Sequence, residues 1–338
     1  MTPADGVRPA ADGGPIALGI IGGGRHAVAL VDHQAPLPDV TVARWAGSPG
    51  GGDLAVVREL ATRIEAPFVR EWEAVARDPD LRAVIVLSEA VDATAAVEAA
   101  LGAGKVVFCA APAATRMEDV NRLAGARAGG RGILLAGGAI RHSPAGREAL
   151  RLVTGGDLGP LHSLFASVRL PMTADGERAS ARQRAVLEEV GWDLLDFVAA
   201  AGGGEPVRVH AHVDVLFGSG APDTAVCTIR FANDLIATLE LSRCLPPAIP
   251  APPEGEVEIE VIGGREAVRL APGATAVRVY RAGTALRPWV DAPALSMLRE
   301  VVEAARGTAP AADGLAEVRR AVGLMDAIRA AAAPSGAT

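Results

Sequence analysis

Two stretches of this chain hold residues whose types and spacing can do chemistry. The first is Gly22-Gly23-Gly24-Arg25-His26-Ala27, a GxGxxA sequence between an apolar run and a helical pattern. Gly22 allows a tight turn, Gly24 lets backbone approach a pyrophosphate, and Ala27 is an accepted small third residue. The candidate cofactor contacts are therefore Gly22, Gly24, Arg25 and His26, with Ser48 and Ser88 at the ends of later strands. The plainer alternative is that the glycines only preserve a turn. The second stretch holds Glu189 and Asp193, which share one face if both lie on one helix. Two close carboxylates can push one pKa up and divide acid and base work between them. The alternative is a solvated helix start.

Other groups offer weaker chemistry. Arg208, His210, His212 and Asp214 alternate along a strand and so share a face. His-x-His with an aspartate can bind zinc or iron, but no third ligand has diagnostic spacing, so a polar sheet face is expected and no metal. Arg141, His142 and Arg169 are expected to border a substrate cleft suited to an anionic or polyhydroxyl ligand. Ion pairs are the alternative for all three. Arg178, Arg182 and Arg184 read as a solvated helix face, Cys109 as a buried thiol, and Trp72 and Trp192 as packing residues.

The second strand ends Ala46-Gly47-Ser48, where an NAD-binding chain usually places a carboxylate for the ribose 2′-hydroxyl. Ser48 or Arg44 is left to receive an NADP phosphate, although Arg44 lies inside the strand and reads equally as a paired structural charge. The expectation is weak NAD(P) binding or none, with NADP no worse than NAD.

The elements that must position these residues follow from periodicity. Apolar runs at 16–21, 40–46, 82–87, 105–109 and 132–136 alternate with helical patterns at 25–34, 54–64, 71–77, 92–102 and 117–128. Such alternation predicts a parallel, doubly wound α/β sheet over residues 16–138. After 139 the pattern changes to a helix (144–153), a strand (161–169), a helix (179–200), six further strands and two closing helices. This predicts an α+β domain over 139–334 with a largely antiparallel open sheet.

Bulk properties narrow the function classes. The 338 residues suffice for about two domains. Half the residues are hydrophobic and 3% aromatic, so the core must be mostly Ala, Val, Leu and Ile. A formal charge of −7 and a pI near 5.5 argue against nucleic acid or an anionic membrane surface as partner. Three scattered cysteines and no membrane-length apolar run fit a cytoplasmic protein. Residues 1–15 lack the basic start and apolar run of a signal peptide and are expected to be a disordered tail.

Several segments, in order, resemble the Gfo/Idh/MocA family of NAD(P)-dependent sugar-type oxidoreductases. They are Gly104–Pro112 (GKVVFCAAP), Arg141-His142-Ser143-Pro144, Gly155–Pro160, Asp223-Thr224-Ala225, Ile229–Asn233 and Glu189–Asp196. The resemblance implies an N-terminal Rossmann domain, a C-terminal α/β domain, and a homodimer or tetramer formed through the open sheet. It also places Ala111 and Asp193 where the family has its catalytic lysine and histidine, and Ser88-Glu89 where it has Thr-Pro. An alanine methyl can neither donate a proton nor hold charge. Two functions follow from that departure. One is a ligand-binding or accessory protein, with a partner protein or paralogue, that has lost hydride transfer. The other is an active NAD(P)-dependent oxidoreductase, or a lyase or cyclase, using Glu189 and Asp193 on a polar small molecule.

Overall fold

The computed structural model describes residues 14–23, 27–28, 30–31, 40–50, 53–87, 90–110, 112–130, 132–136, 138–172, 185–217, 221–246, 256–271, 276–281, 283–288, 293–308 and 314–332. The chain forms two compact units. Met1–His142 and Asp291–Arg319 make the first, and Ser143–Val290 and Arg320–Thr338 make the second.

The first unit is built on six parallel strands, β1 (Ile16–Ile21), β2 (Val40–Ala46), β3 (Phe68–Val69), β4 (Ala83–Val86), β5 (Val106–Cys109) and β6 (Ile133–Ala136). Their order in the sheet is β3-β2-β1-β4-β5-β6. Continuous apolar runs suit strands covered on both faces, and every residue of β4 and β5 is buried. The connecting helices are α1 (Leu54–Arg63), α2 (Trp72–Arg77), α3 (Ala90–Gly102) and α4 (Met117–Gly130), followed by the single turn α5 (Ala139–His142). Leu18, Ile20, Trp45, Ile85 and Phe108 share one core cluster with Leu298, Val301 and Ala305. The last three belong to a helix, Pro293–Arg306, whose sequence position fell within the span expected for the second domain.

A partly buried polar knot joins β2 to the segments before β4 and β5. Lys105 precedes β5 and is buried, and its Nζ donates to the carbonyl oxygens of Asp78 and Leu81. The Asp78 carboxylate accepts Arg44 Nε from β2 and the Asp80 amide at 2.9 Å. Arg44 is therefore a structural cation paired across the unit.

The second unit holds an eight-stranded sheet of order β14-β13-β12-β11-β7-β10-β9-β8. The strands are β7 (Leu161–Pro171), β8 (Pro206–Asp214), β9 (Thr224–Phe231), β10 (Ile236–Leu245), β11 (Glu256–Gly263), β12 (Ala267–Leu270), β13 (Ala276–Arg281) and β14 (Gly283–Pro288). Only β10 and β7 pair in parallel. Strict alternation buries Leu164, Ala166 and Val168 on β7, Ala225, Cys227 and Ile229 on β9, and Ala237, Leu239 and Leu241 on β10. Their alternates point to the opposite face, where Phe165, Val226 and Ile236 are exposed while Ser167 and Ser242 are buried. The helices of this unit are α6 (Pro144–Thr154), α7 (Val186–Glu189) and α8 (Gly191–Gly202). Ser143 caps α6 by accepting the Gly146 amide at 2.9 Å, with Pro144 in the first turn. The chain continues through α9 (Pro293–Arg306) to α10 (Gly314–Ala332), whose residues are shared between the two units. No helix among the described residues is long and apolar enough to cross a membrane.

Candidate functional site

The described start of the glycine sequence, Gly22-Gly23, turns the chain at the carboxyl end of β1. Gly22 has φ +101°, a region that side chains disfavour. Its amide donates to Ala46 O at 2.8 Å, and its carbonyl accepts the buried Trp45 Nε1 at 2.9 Å. The turn is thus locked to the end of β2 by both backbone and indole. It lies beside the point where strand order reverses, since β2 follows on one side of β1 and β4 on the other. Ligands of open α/β sheets bind beyond the carboxyl ends of strands at such a reversal. Gly24, Arg25, His26, Ser88, Glu89 and Ala111 lie outside the described residues.

A carboxylate nonetheless reaches the end of β2, contrary to the expectation drawn from Gly47. Asp53, just before α1, folds back over the loop. Its Oδ2 accepts the Gly23 amide at 2.6 Å and Ser48 Oγ at 2.6 Å, and its Oδ1 accepts the Ser48 amide at 2.8 Å. A loop conformation brings it there, which no strand register announces. The only sequence signal available was its place directly before the second helical pattern, a cap position that Asp favours. Ser48 is correspondingly bound to Asp53, and Arg44 to Asp78.

The expected carboxylate pair is arranged differently from its reading. Glu189 ends α7 and Asp193 lies in the first turn of α8, with the backbone opening to φ −118°, ψ −16° at Val190 between them. The two residues therefore do not sit on one continuous helix. Val190 and Trp192 both turn into the core, and a β-branched residue followed by glycine holds a helix weakly. Asp193 is half-buried.

Each expected cleft cation has a carboxylate partner. Arg141 pairs with Glu317 at 2.6 Å, and His142 Nδ1 lies 3.1 Å from Glu300 with its ring edge-on to Phe108. Arg169 grips Glu240 with both Nε and Nη2, at 3.0 and 2.6 Å. That fork holds the Glu240 carboxyl below its ordinary range. Arg208, His210, His212 and Asp214 are exposed on the open sheet face. No group of three metal-binding side chains stands together among the described residues. Cys109 is buried at the end of β5, and burial pushes the Cys227 thiol up to about 12.

Comparison with known proteins adds the family. The model of the oxidoreductase family's NAD-binding Rossmann fold matches residues 16–134, and that of the GFO/IDH/MocA C-terminal domain matches residues 147–269. The chain belongs to the Gfo/Idh/MocA family. GenD2 from gentamicin A biosynthesis, solved in complex with NAD, is 22% identical with a TM-score of 0.77, covering 97% of each chain. A putative myo-inositol dehydrogenase from Sinorhizobium meliloti is 19% identical with a TM-score of 0.76, covering 94% of this chain and 97% of that one. UDP-N-acetylglucosamine 3-dehydrogenase from Acidithiobacillus ferrooxidans is 18% identical with a TM-score of 0.75, over 94% and 97%. At these identities the likeness shows the fold alone. No curated protein sequence matches the chain. As a Gfo/Idh/MocA protein the chain has a Rossmann domain of the NAD-binding kind.

Proposed function

We propose that this Gfo/Idh/MocA protein is a nicotinamide-dinucleotide-dependent oxidoreductase acting on a hydroxyl-bearing small molecule. The observation that carries the reading is the Gly22 turn, held open by Ala46 and Trp45 at the strand-order reversal. The sugar-type names of the structural relatives support the substrate class. A bound dinucleotide supplies the hydride acceptor or donor. The chain must supply the backbone cradle and a group that takes the hydroxyl proton as hydride leaves the same carbon. By resemblance, Ala111 and Asp193 stand in the places of the family's catalytic lysine and histidine. Ala111 has no acid–base capacity, so the role falls to the Asp193 carboxylate, with Glu189 as its neighbour in sequence. By the same resemblance the protein is a homo-oligomer paired through its open sheet.

The test is reduction of NAD or NADP with a panel of inositols and aldoses, followed at the reduced nicotinamide band. Asp193→Asn is expected to abolish turnover while leaving the far-ultraviolet circular dichroism unchanged. Without a lysine, turnover is expected about 10² to 10⁴-fold below that of a complete acid–base pair. Ala111→Lys combined with Asp193→His is expected to raise it. A second reading rests on Ala111 itself: a protein that binds dinucleotide as ligand or accessory subunit without turnover. It predicts cofactor binding, no reduction by the wild type, and no effect of Asp193→Asn on binding.

A further inference from the structure

We infer that Asp53 is this chain's ribose-binding acid and makes the nucleotide site select NAD over NADP; the inference rests on the nucleotide-site reading above. A dinucleotide site usually draws this acid from the end of the second strand, where this chain has Gly47. The space a side chain at 47 needs is already filled. A Cβ there would meet Leu54 Cδ2 at 2.6 Å and Asp53 Oδ1 at 3.1 Å. Asp53 and Leu54 thus occupy the space that a side chain at position 47 would need.

The anchoring of Asp53 supports a receptor role. The Gly23 amide, the Ser48 amide and Ser48 Oγ fix both carboxylate oxygens against the glycine turn. The Gly23 contact needs a bare backbone, because a Cβ there would meet Val57 Cγ2 at 2.5 Å and Asp53 Oδ2 at 3.4 Å. An ionised carboxylate offers about four acceptor sites. Two of the donors reach Oδ2 and one reaches Oδ1, which leaves acceptor capacity on Oδ1. A ribose 2′-hydroxyl can donate to it. A 2′-phosphate cannot, and its charge is repelled by the carboxylate at that distance. Arg44, the basic residue weighed for such a phosphate, is bound to Asp78.

Calorimetry with NADH and NADPH on the wild type, Asp53→Asn and Ser48→Ala tests this. A charge-assisted hydrogen bond contributes roughly ten- to a hundredfold in affinity. The wild type should prefer NADH by about that factor. Asp53→Asn should bring the two affinities close together, weakening NADH and strengthening NADPH. Ser48→Ala should weaken the preference in the same direction. Equal affinities in the wild type overturn the inference. So does a parallel change of both affinities in Asp53→Asn, which marks Asp53 as a loop brace, or as a competitor if both tighten. Failure of the wild type to bind either cofactor is a separate result that sinks the nucleotide-site reading and takes this inference with it.

Discussion

At the end of β2 the chain has room for one carboxylate, and Asp53 occupies it. Gly47→Asp, which restores the usual acid position, should therefore harm the protein. Overpacking against Leu54 and a second negative charge beside Asp53 should cost about 1–3 kcal/mol, read from the urea midpoint. NADH affinity should fall or stay level; a gain would show that position 47 still governs the ribose. The glycine turn was legible in the sequence because its chemistry is local: successive small residues directly after a strand. Asp53 was not legible as a ligand, since only the loop's path shows which backbone it meets. The partners of Arg141, His142 and Arg169 were equally hidden. Glu317, Glu300 and Glu240 lie far along the chain, and nothing in local spacing joins them.

Among the elements, α2, β2 and β5 are joined by Asp78, Arg44 and Lys105. Burial works to raise the Asp78 carboxyl. The hydrogen bonds from Arg44 and the Asp80 amide, with the charges of Arg44 and Lys105, outweigh it and hold the group below its ordinary value. Burial also pushes the Lys105 amine down. Because the folded pKa of Asp78 is depressed, its stabilisation is fully present above the unfolded value of about 3.9. It is lost as pH falls through the lower folded value. Asp78→Asn should cost about 1–3 kcal/mol at pH 7, measured by urea unfolding. The gap between variant and wild type should shrink under strongly acid conditions. An unchanged gap would remove the ionised carboxylate from the account. Most elements were readable because buried parallel strands are continuous apolar runs and half-covered strands alternate. Four features escaped that reading: β3 has two residues, α5 is one turn, β14 follows β13 beyond the six strands expected, and the helix is interrupted at Val190, which packs into the core.

For the whole molecule, the change of sequence pattern near residue 139 marked the change of architecture, and the two units divide at His142 and Ser143. The return of Asp291–Arg319 to the first unit was not legible, because a closing amphipathic helix carries no signal of which core it joins. The open face of the second sheet presents exposed Val226 and Ile236, with Phe165 and Ile262 nearer its centre. If the protein self-associates through this face, as proposed, the wild type should sediment as an oligomer and Val226→Lys with Ile236→Lys as a monomer in sedimentation velocity. An unchanged sedimentation coefficient would place the interface elsewhere. If the Gly22 turn is a working dinucleotide site, titrating NADH while following tryptophan emission will show it. Trp45 bonds to the turn itself and should report its occupation. A working site should give saturable quenching with energy transfer to the nicotinamide, displaced by added ADP-ribose. A linear, unsaturating response that ADP-ribose does not displace would contradict it.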